Sequence, residues 1–467
     1  MLARVWSAAI AGIDAIKVGV EVDVSGGLPK IIVVGLPDVA IQESRERVKA
    51  ALKNANFAFP VRKIVINLTP ADLRKEGPCF DLPISVGILA ASEQVDPQLL
   101  GDYLFYGEVS LDGTLRSVSG VLPIAAAASK MGIAGLILPL GNAQEAAVVN
   151  DIKVYGFANL RQVADFLNQP DKYQPVIAEN PLAKKRSLHH ITNLKEVKGQ
   201  IQARRALEIA AAGGHNLILI GPPGSGKTML AQRLPGILPN LSFDEALEVS
   251  QIHSVAGLLK DCGELVTERP FRSPHHSASG PSLVGGGSYP RPGEISLAHK
   301  GILFLDELTE FKRNVLEYLR QPLEDGQVTI SRTRQSVIFP AQFTLVASTN
   351  PCPCGYFGDP IQHCTCSSRQ RENYWAKLSG PLMDRIDLQV AANRLKPEEM
   401  LKQTTGEDST IVRKRVVAAR KLAEIRFGSE PGISCNAEMR SHHLREFCVL
   451  DDTSRNLLEG AIRKLGL

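Results

Sequence analysis

The densest chemical signal in the chain is Gly221-Pro222-Pro223-Gly224-Ser225-Gly226-Lys227-Thr228. Glycines in such a turn let backbone N–H groups face inward around a phosphate. The lysine then reaches the β- and γ-phosphates, and the threonine hydroxyl can ligate Mg²⁺. The apolar residues 217–220 ahead of it predict a buried strand, and residues 229–234 behind it a helix. Strand, loop and helix are the order a phosphate cradle requires. A second apolar run, 302–307, ends in Asp306 and Glu307. Asp306 would hold Mg²⁺, mostly through water, and Glu307 would polarise an attacking water, because phosphoryl transfer depends on positioning and charge neutralisation. Alone, the same residues also read as a strand ending in a solvated acidic pair; the upstream loop tips the balance. Residues 344–349 read as another buried strand, ending at Asn350. Its amide could orient the water beside the γ-phosphate, although an Asn before Pro is more commonly a turn residue.

Four of the eight cysteines crowd into Cys352, Cys354, Cys364 and Cys366. Four thiolates on two turns match the ligand count of tetrahedral Zn²⁺, and His363 could replace one of them. Four protein ligands leave no open position, so such a metal would be structural. Cys-x-Cys is tighter than the commoner knuckle spacing, and four reduced cysteines in a loop remain the alternative. Cys79, Cys262, Cys435 and Cys448 stand singly and form no secreted disulfide framework.

These groups need rigid elements to position them. At 467 residues the chain is long enough for two or three domains, and 44% hydrophobic with 22% charged residues excludes a disordered or fibrous protein. Fifty-three Lys plus Arg against 49 Asp plus Glu leave a net charge of +4. Any nucleic-acid contact must therefore come from local placement. The N-terminus carries Asp14, Lys17, Glu21 and Asp23 and lacks a long apolar run. No stretch reaches the ~18 apolar residues that span a bilayer, so a cytoplasmic protein without membrane contact is expected.

Residues 1–167 alternate strand-like runs (31–35, 63–68, 135–140) with helical ones (41–55, 82–92, 121–132, 160–169), an α/β domain of their own. Residues 168–190 have three prolines, a Lys184-Lys185-Arg186 cluster and no periodicity, and read as a linker. A second αβ block spans 191–393. From 394 to 467 the pattern turns helical, in 408–427, 437–448 and 453–466.

These pieces, together with residues 270–308, 319–333, 350–355 (NPCPCG) and 378–388 (LSGPLMDRIDL), resemble the magnesium-chelatase-like AAA+ ATPases of the competence-associated ComM/YifB type. The likeness covers nearly the whole chain. It implies a P-loop αβα core, ATP and Mg²⁺ as cofactors, and a hexameric ring in which an arginine of the neighbouring subunit completes each site. The matching residue is Arg385; a structural pair with Asp384 or Asp387 is its alternative role. Arg320 is a candidate for a second trans contact. The resemblance also directs two insertions toward a central pore. One is the glycine- and serine-rich stretch 273–294, expected as a mobile loop, where His275 and His276 take a loop role rather than a metal-binding one. The other is a β-hairpin over 327–339 with Arg332 and Arg334 near its turn. Six copies of two arginines would form a phosphate-binding collar; a solvated hairpin tip is the alternative.

The first domain resembles the fold shared by Lon-type protease domains and the second domain of ribosomal protein S5. Cys79 stands at the position of the Lon nucleophile and Leu122 at that of its lysine. A nucleophile without its base is poorly activated, so a binding or assembly module without a protease substrate is expected. Relatives continue past Leu467 with a lid helix that carries a sensing arginine, so the C-terminal helical lid is expected to be truncated or incomplete. The function implied is a ring-forming ATPase that remodels DNA, as a branch-migration helicase in recombination of incoming DNA. Alternatives are a chelatase-type motor acting on a partner protein, which the N-terminal domain argues against, and an ATP-binding scaffold with little turnover.

Overall fold

The computed structural model describes residues 1–75, 77–178, 192–259, 265–287, 290–332, 335–395, 406–428, 430 and 432–465. Near the N-terminus, Leu2–Ala11 and Asp14–Ser25 form a long antiparallel hairpin with Val5 opposite Val20. These strands escape hydropathy because Lys17, Glu21 and Asp23 alternate with apolar residues; only the period of two marks them. They sit inside a seven-stranded sheet of order Lys30–Val34, Lys63–Thr69, Asp14–Ser25, Leu2–Ala11, Tyr103–Phe105, Gly135–Pro139, Lys153–Phe157. The helix Asp81–Ala91 is buried along its whole length against this sheet, which is why its sequence is apolar on every face.

The second sheet has five strands in the order Phe271–Arg272, Ile302–Leu305, Thr344–Thr349, Leu217–Ile220, Leu388–Ala391, with every pair parallel. Strands of a parallel sheet are covered on both faces and therefore read as unbroken apolar runs. Helices Ile201–Gly213 and Ser409–Phe427 pack on one side, where Leu207, Leu219, Val346 and Val416 share one core. This mixed α/β arrangement fits a P-loop AAA+ core. Because the strands share one direction, Gly221, Asp306 and Asn350 all leave the sheet at its carboxyl edge. In open α/β sheets that edge is where ligands bind.

The stretch 273–294 is more ordered than a loop. It contains the short helix Gly280–Val284, capped by Ser279, and a two-stranded ladder of Gly285–Gly286 with Arg291–Pro292. Buried Leu283 within it, and Ile295 just beyond its end, anchor it to the core. The expected hairpin forms from Gln327–Arg332 and Gln335–Pro340, pairing Arg332 with Gln335. Arg334 and the linker positions 179–190 lie outside the described residues.

The two sheets' domains meet through Leu122 and Val148 on one side and Leu241, Ala246, Val249 and Leu265 on the other. Ser254 Oγ donates to buried Glu145 Oε1 across that boundary at 2.6 Å. Leu122, at the position where the Lon resemblance expects a lysine, is thus an apolar anchor between domains. Among the described residues no helix is long and apolar enough to cross a membrane.

Candidate nucleotide site

The loop 221–228 leaves strand Leu217–Ile220 and enters the helix Lys227–Ala231 through Gly226. Gly226 has φ +88°, a left-handed conformation that glycine adopts without a Cβ penalty. The loop is held from behind: Gln200 Nε2 donates to the Ser225 carbonyl at 2.9 Å and to the Asn393 carbonyl at 2.6 Å. Lys227 Nζ curls back over the loop, donating to the carbonyls of Gly221 (2.8 Å) and Pro222 (3.0 Å) and to Asn350 Oδ1 (3.2 Å). Burial pushes the Lys227 ammonium below the usual lysine range, against the opposing pull of the Asp306 and Glu307 carboxylates.

Thr228 Oγ1 donates to Asp306 Oδ2 at 2.9 Å, so the two expected magnesium ligands already face each other. Ser348 Oγ donates to the other Asp306 oxygen, which also accepts the Glu307 N–H at 3.1 Å. These bonds orient a carboxylate at the end of a buried strand. Glu307 has φ +54°, a strained conformation for a side chain of its size, and its carboxylate is exposed. His276 Nδ1 stands 3.8 Å from Glu307 Oε2, and its ring makes an edge contact with Phe311.

Lys227, Thr228, Asp306, Glu307 and Asn350 are therefore brought together, with the glycines, prolines and serine of the loop beneath them. The residues fit a magnesium–nucleotide: a facing hydroxyl and carboxylate for the cation, and a buried Ser225 Oγ without a partner among the described residues in the loop floor. Arg385 stands elsewhere. Its carbonyl accepts from Asn216, which precedes the amino end of Leu217–Ile220. A four-residue strand, roughly 13 Å, thus separates that end from the phosphate loop. The Arg385 guanidinium pairs with Glu324 at 2.7 Å rather than with Asp384 or Asp387; Asp387 is taken by His215 and the Asn216 N–H. Arg320 pairs with Glu317 at 3.3 Å on the helical surface.

The four clustered cysteines converge. Their sulfurs all lie within 4.8 Å of one another, Cys352 is buried, and none is in a disulfide. His363 is exposed and outside this group. In the first domain Cys79 is buried, and burial pushes its thiol up to about 12, the opposite of an activated nucleophile.

Sequence reasoning missed Ser348, Gln200 and the approach of His276 to Glu307. Ser348 had a faint signal, a hydroxyl residue two before Asn350 in a buried strand. The others had none, since only the tertiary path of the chain sets them beside the loop.

A parallel sheet with a glycine-rich loop, a strand-end Asp-Glu pair and an Asn on the neighbouring strand defines a P-loop ATPase of the AAA+ class. The description "Magnesium chelatase, subunit ChlI" matches residues 193–400, "Subunit ChlI of Mg-chelatase" residues 20–142, and "Magnesium chelatase, subunit ChlI C-terminal" residues 406–467. Competence protein ComM of Haemophilus influenzae is 44% identical over 472 residues, covering 100% of this chain and 90% of that relative. YifB of Escherichia coli is 44% identical over 468 residues with the same coverage. The magnesium-chelatase 38 kDa subunit of Rhodobacter capsulatus is 24% identical over 173 residues, 33% of this chain and 49% of that protein. The chain belongs to the magnesium-chelatase-like family of AAA+ ATPases, and within it to the ComM/YifB type.

Proposed function

We propose that this ATPase assembles into a ring and couples ATP hydrolysis to the remodelling of DNA, as branch migration or helicase action on incoming DNA. The observation that carries the hydrolytic part is the joining of Lys227, Thr228, Asp306 and Asn350 at one sheet edge. With nucleotide bound, Lys227 exchanges its loop carbonyls for β- and γ-phosphate oxygens. Thr228 and Asp306 would hold the Mg²⁺ that accompanies the nucleotide and neutralises charge on the phosphates. Asn350 donates to the attacking water, and Glu307 accepts the water's proton. Arg385 lies a strand length away from its own loop, and in a ring it would serve a neighbour's γ-phosphate instead.

The DNA part is supported by similarity to a competence protein and by the hairpin that ends in Arg332. A ring would repeat Arg332 and Arg334 around its pore, a phosphate-binding collar that needs no large net charge. Similarity to a magnesium-chelatase subunit favours a second reading, a motor that remodels a partner protein. The deciding measurement is ATP hydrolysis with and without DNA, by the parent chain and by Lys227→Ala. Stimulation by DNA, lost at higher salt and absent in the variant, is expected. Turnover indifferent to DNA removes the DNA-motor proposal and leaves the protein-remodelling one.

A further inference from the structure

The cysteine cluster begins two residues after Asn350 and folds directly onto the phosphate loop. Gly355, inside the cluster, has φ +87°, and a Cβ there would lie 2.7 Å from Pro223 Cδ and 3.9 Å from Asn350 Cγ. Nothing larger than glycine fits between the cluster and the loop. Its N–H donates to the Cys352 carbonyl at 2.9 Å, closing a tight turn around the first two thiols.

The other two thiols are tied to the same place by a different route. Ser367, next to Cys366, caps the helix Ser368–Trp375, and Arg371 of that helix donates to the Cys366 carbonyl at 2.8 Å. At its far end, Trp375 Nε1 donates to the Pro351 carbonyl at 3.1 Å, and the Tyr374 hydroxyl lies 3.4 Å from Thr349 Oγ1. Both halves of the cluster are thus fastened around the end of the strand that carries Asn350. Besides that Trp375–Pro351 bond, the two turns face each other sulfur to sulfur. Cys352 and Cys354 lie 3.3 Å apart, and each is 3.6 Å from Cys364. Four sulfurs around one Zn²⁺ at ~2.3 Å would be separated by roughly 3.8 Å, close to this spacing, whereas disulfide sulfurs lie at ~2.05 Å. Backbone N–H groups of Cys354 and Cys366 point at Cys366 Sγ (3.3 Å) and Cys364 Sγ (3.4 Å), the kind of outer contact that stabilises metal-bound thiolate.

We propose that Cys352, Cys354, Cys364 and Cys366 hold one cation of the zinc class, and that this bound cation pins the 350–355 turn against Pro223. Nucleotide affinity then depends on the metal, a coupling that rests on the assignment of 221–228 as the phosphate loop. Removing the cation frees the two cysteine turns from each other, and Asn350 and the loop lose their common support. Thiol oxidation or metal loss would act on the ATP site without touching a residue that contacts ATP.

The test uses the full chain and a fluorescent ATP analogue in the presence of Mg²⁺. Metal content is measured by plasma mass spectrometry, and Co²⁺ replacement by the thiolate-to-cobalt absorption band. A zinc-selective pyridyl chelator then strips the site while leaving Mg²⁺ in place. One ion per chain is expected, with nucleotide binding weakened about tenfold on its removal and restored by Zn²⁺. Gly355→Ala keeps all four thiols; it is expected to retain the metal and the cobalt band yet bind the analogue more weakly. Lys227→Ala is expected to lose the nucleotide and keep the metal. Equal affinity with and without metal overturns the coupling, and failure of the protein to bind zinc or cobalt overturns the site. Metal-loaded protein with an intact cobalt band that binds no nucleotide overturns the phosphate-loop assignment, and the coupling with it.

Discussion

Thr228 and Asp306 stand 78 positions apart in the chain, yet the threonine hydroxyl donates to the aspartate at 2.9 Å. The bond is possible because strands Leu217–Ile220 and Ile302–Leu305 flank Thr344–Thr349 in parallel and deliver their last residues to the same edge. A hydroxyl and a carboxylate so placed share a divalent cation without rearranging the backbone. Thr228→Ala is expected to abolish the strengthening of nucleotide binding by Mg²⁺ and to lower hydrolysis about a hundredfold. Binding titrations at several Mg²⁺ concentrations check it; an unchanged Mg²⁺ dependence would falsify the pairing as a metal site.

Glu307 is the base in the proposed chemistry, and its half-exposed carboxylate stands 3.8 Å from His276 Nδ1. Glu307→Gln should therefore bind the fluorescent analogue like the parent while its turnover drops by a factor of about 10² to 10⁴. His276→Ala removes the imidazole 3.8 Å from that carboxylate and should change turnover without changing nucleotide affinity. Loss of affinity in either variant would move both residues from chemistry to binding.

Arg385 pairs on the surface with half-exposed Glu324, so the pair itself should add little stability. Glu324→Ala is expected to leave the melting temperature unchanged. Arg385→Ala should keep nucleotide binding and reduce hydrolysis about a thousandfold. The decisive measurement is mixing: Arg385→Ala with Glu307→Gln subunits should regain activity, since one supplies the intact base and the other the arginine. No recovery on mixing argues against a contribution in trans.

Cys79 is buried with its thiol held far above the usual range, whereas Cys448 is exposed. Alkylation follows the thiolate fraction and access. Iodoacetamide at mildly alkaline pH should label Cys448 in the native chain and reach Cys79 only after denaturation, as read by peptide mass spectrometry. Rapid native labelling of Cys79 would reopen a nucleophilic role.

At the domain boundary, burial raises the Glu145 carboxyl above the ordinary range despite hydrogen bonds from Ser254, Asn142 and the Leu122 N–H. The folded state then holds a proton that the unfolded chain has already released. Stability contributed here is present at acid pH and declines as pH rises from the ordinary carboxylate range through the raised native value. Glu145→Gln should flatten that decline in urea titrations; an identical slope in parent and variant contradicts the assignment.

Much of the ATPase core was legible because its signals are local. A parallel strand covered on both faces announces itself as an apolar run, and the phosphate loop packs its functional groups into consecutive residues. The first domain's leading hairpin was not legible in the same way, since Lys17, Glu21 and Asp23 interrupt apolar positions that point to the opposite face. The role of Leu122 was half visible. Its type excluded a catalytic lysine, but only the packing against Leu241 and Val249 shows what replaced it.

From residue order alone came the phosphate loop, the acidic strand end, the asparagine that follows the third strand, and the four-cysteine count. Each is a pattern written within a few residues, where backbone geometry limits what neighbours can do. Tertiary structure decided that Arg385 leans on Glu324, that His276 approaches Glu307, and that Gly355 seats the cysteine turns on Pro223. Those relations join segments tens of residues apart. The order and direction of strands in the sheet set them, and no spacing along the chain encodes that order.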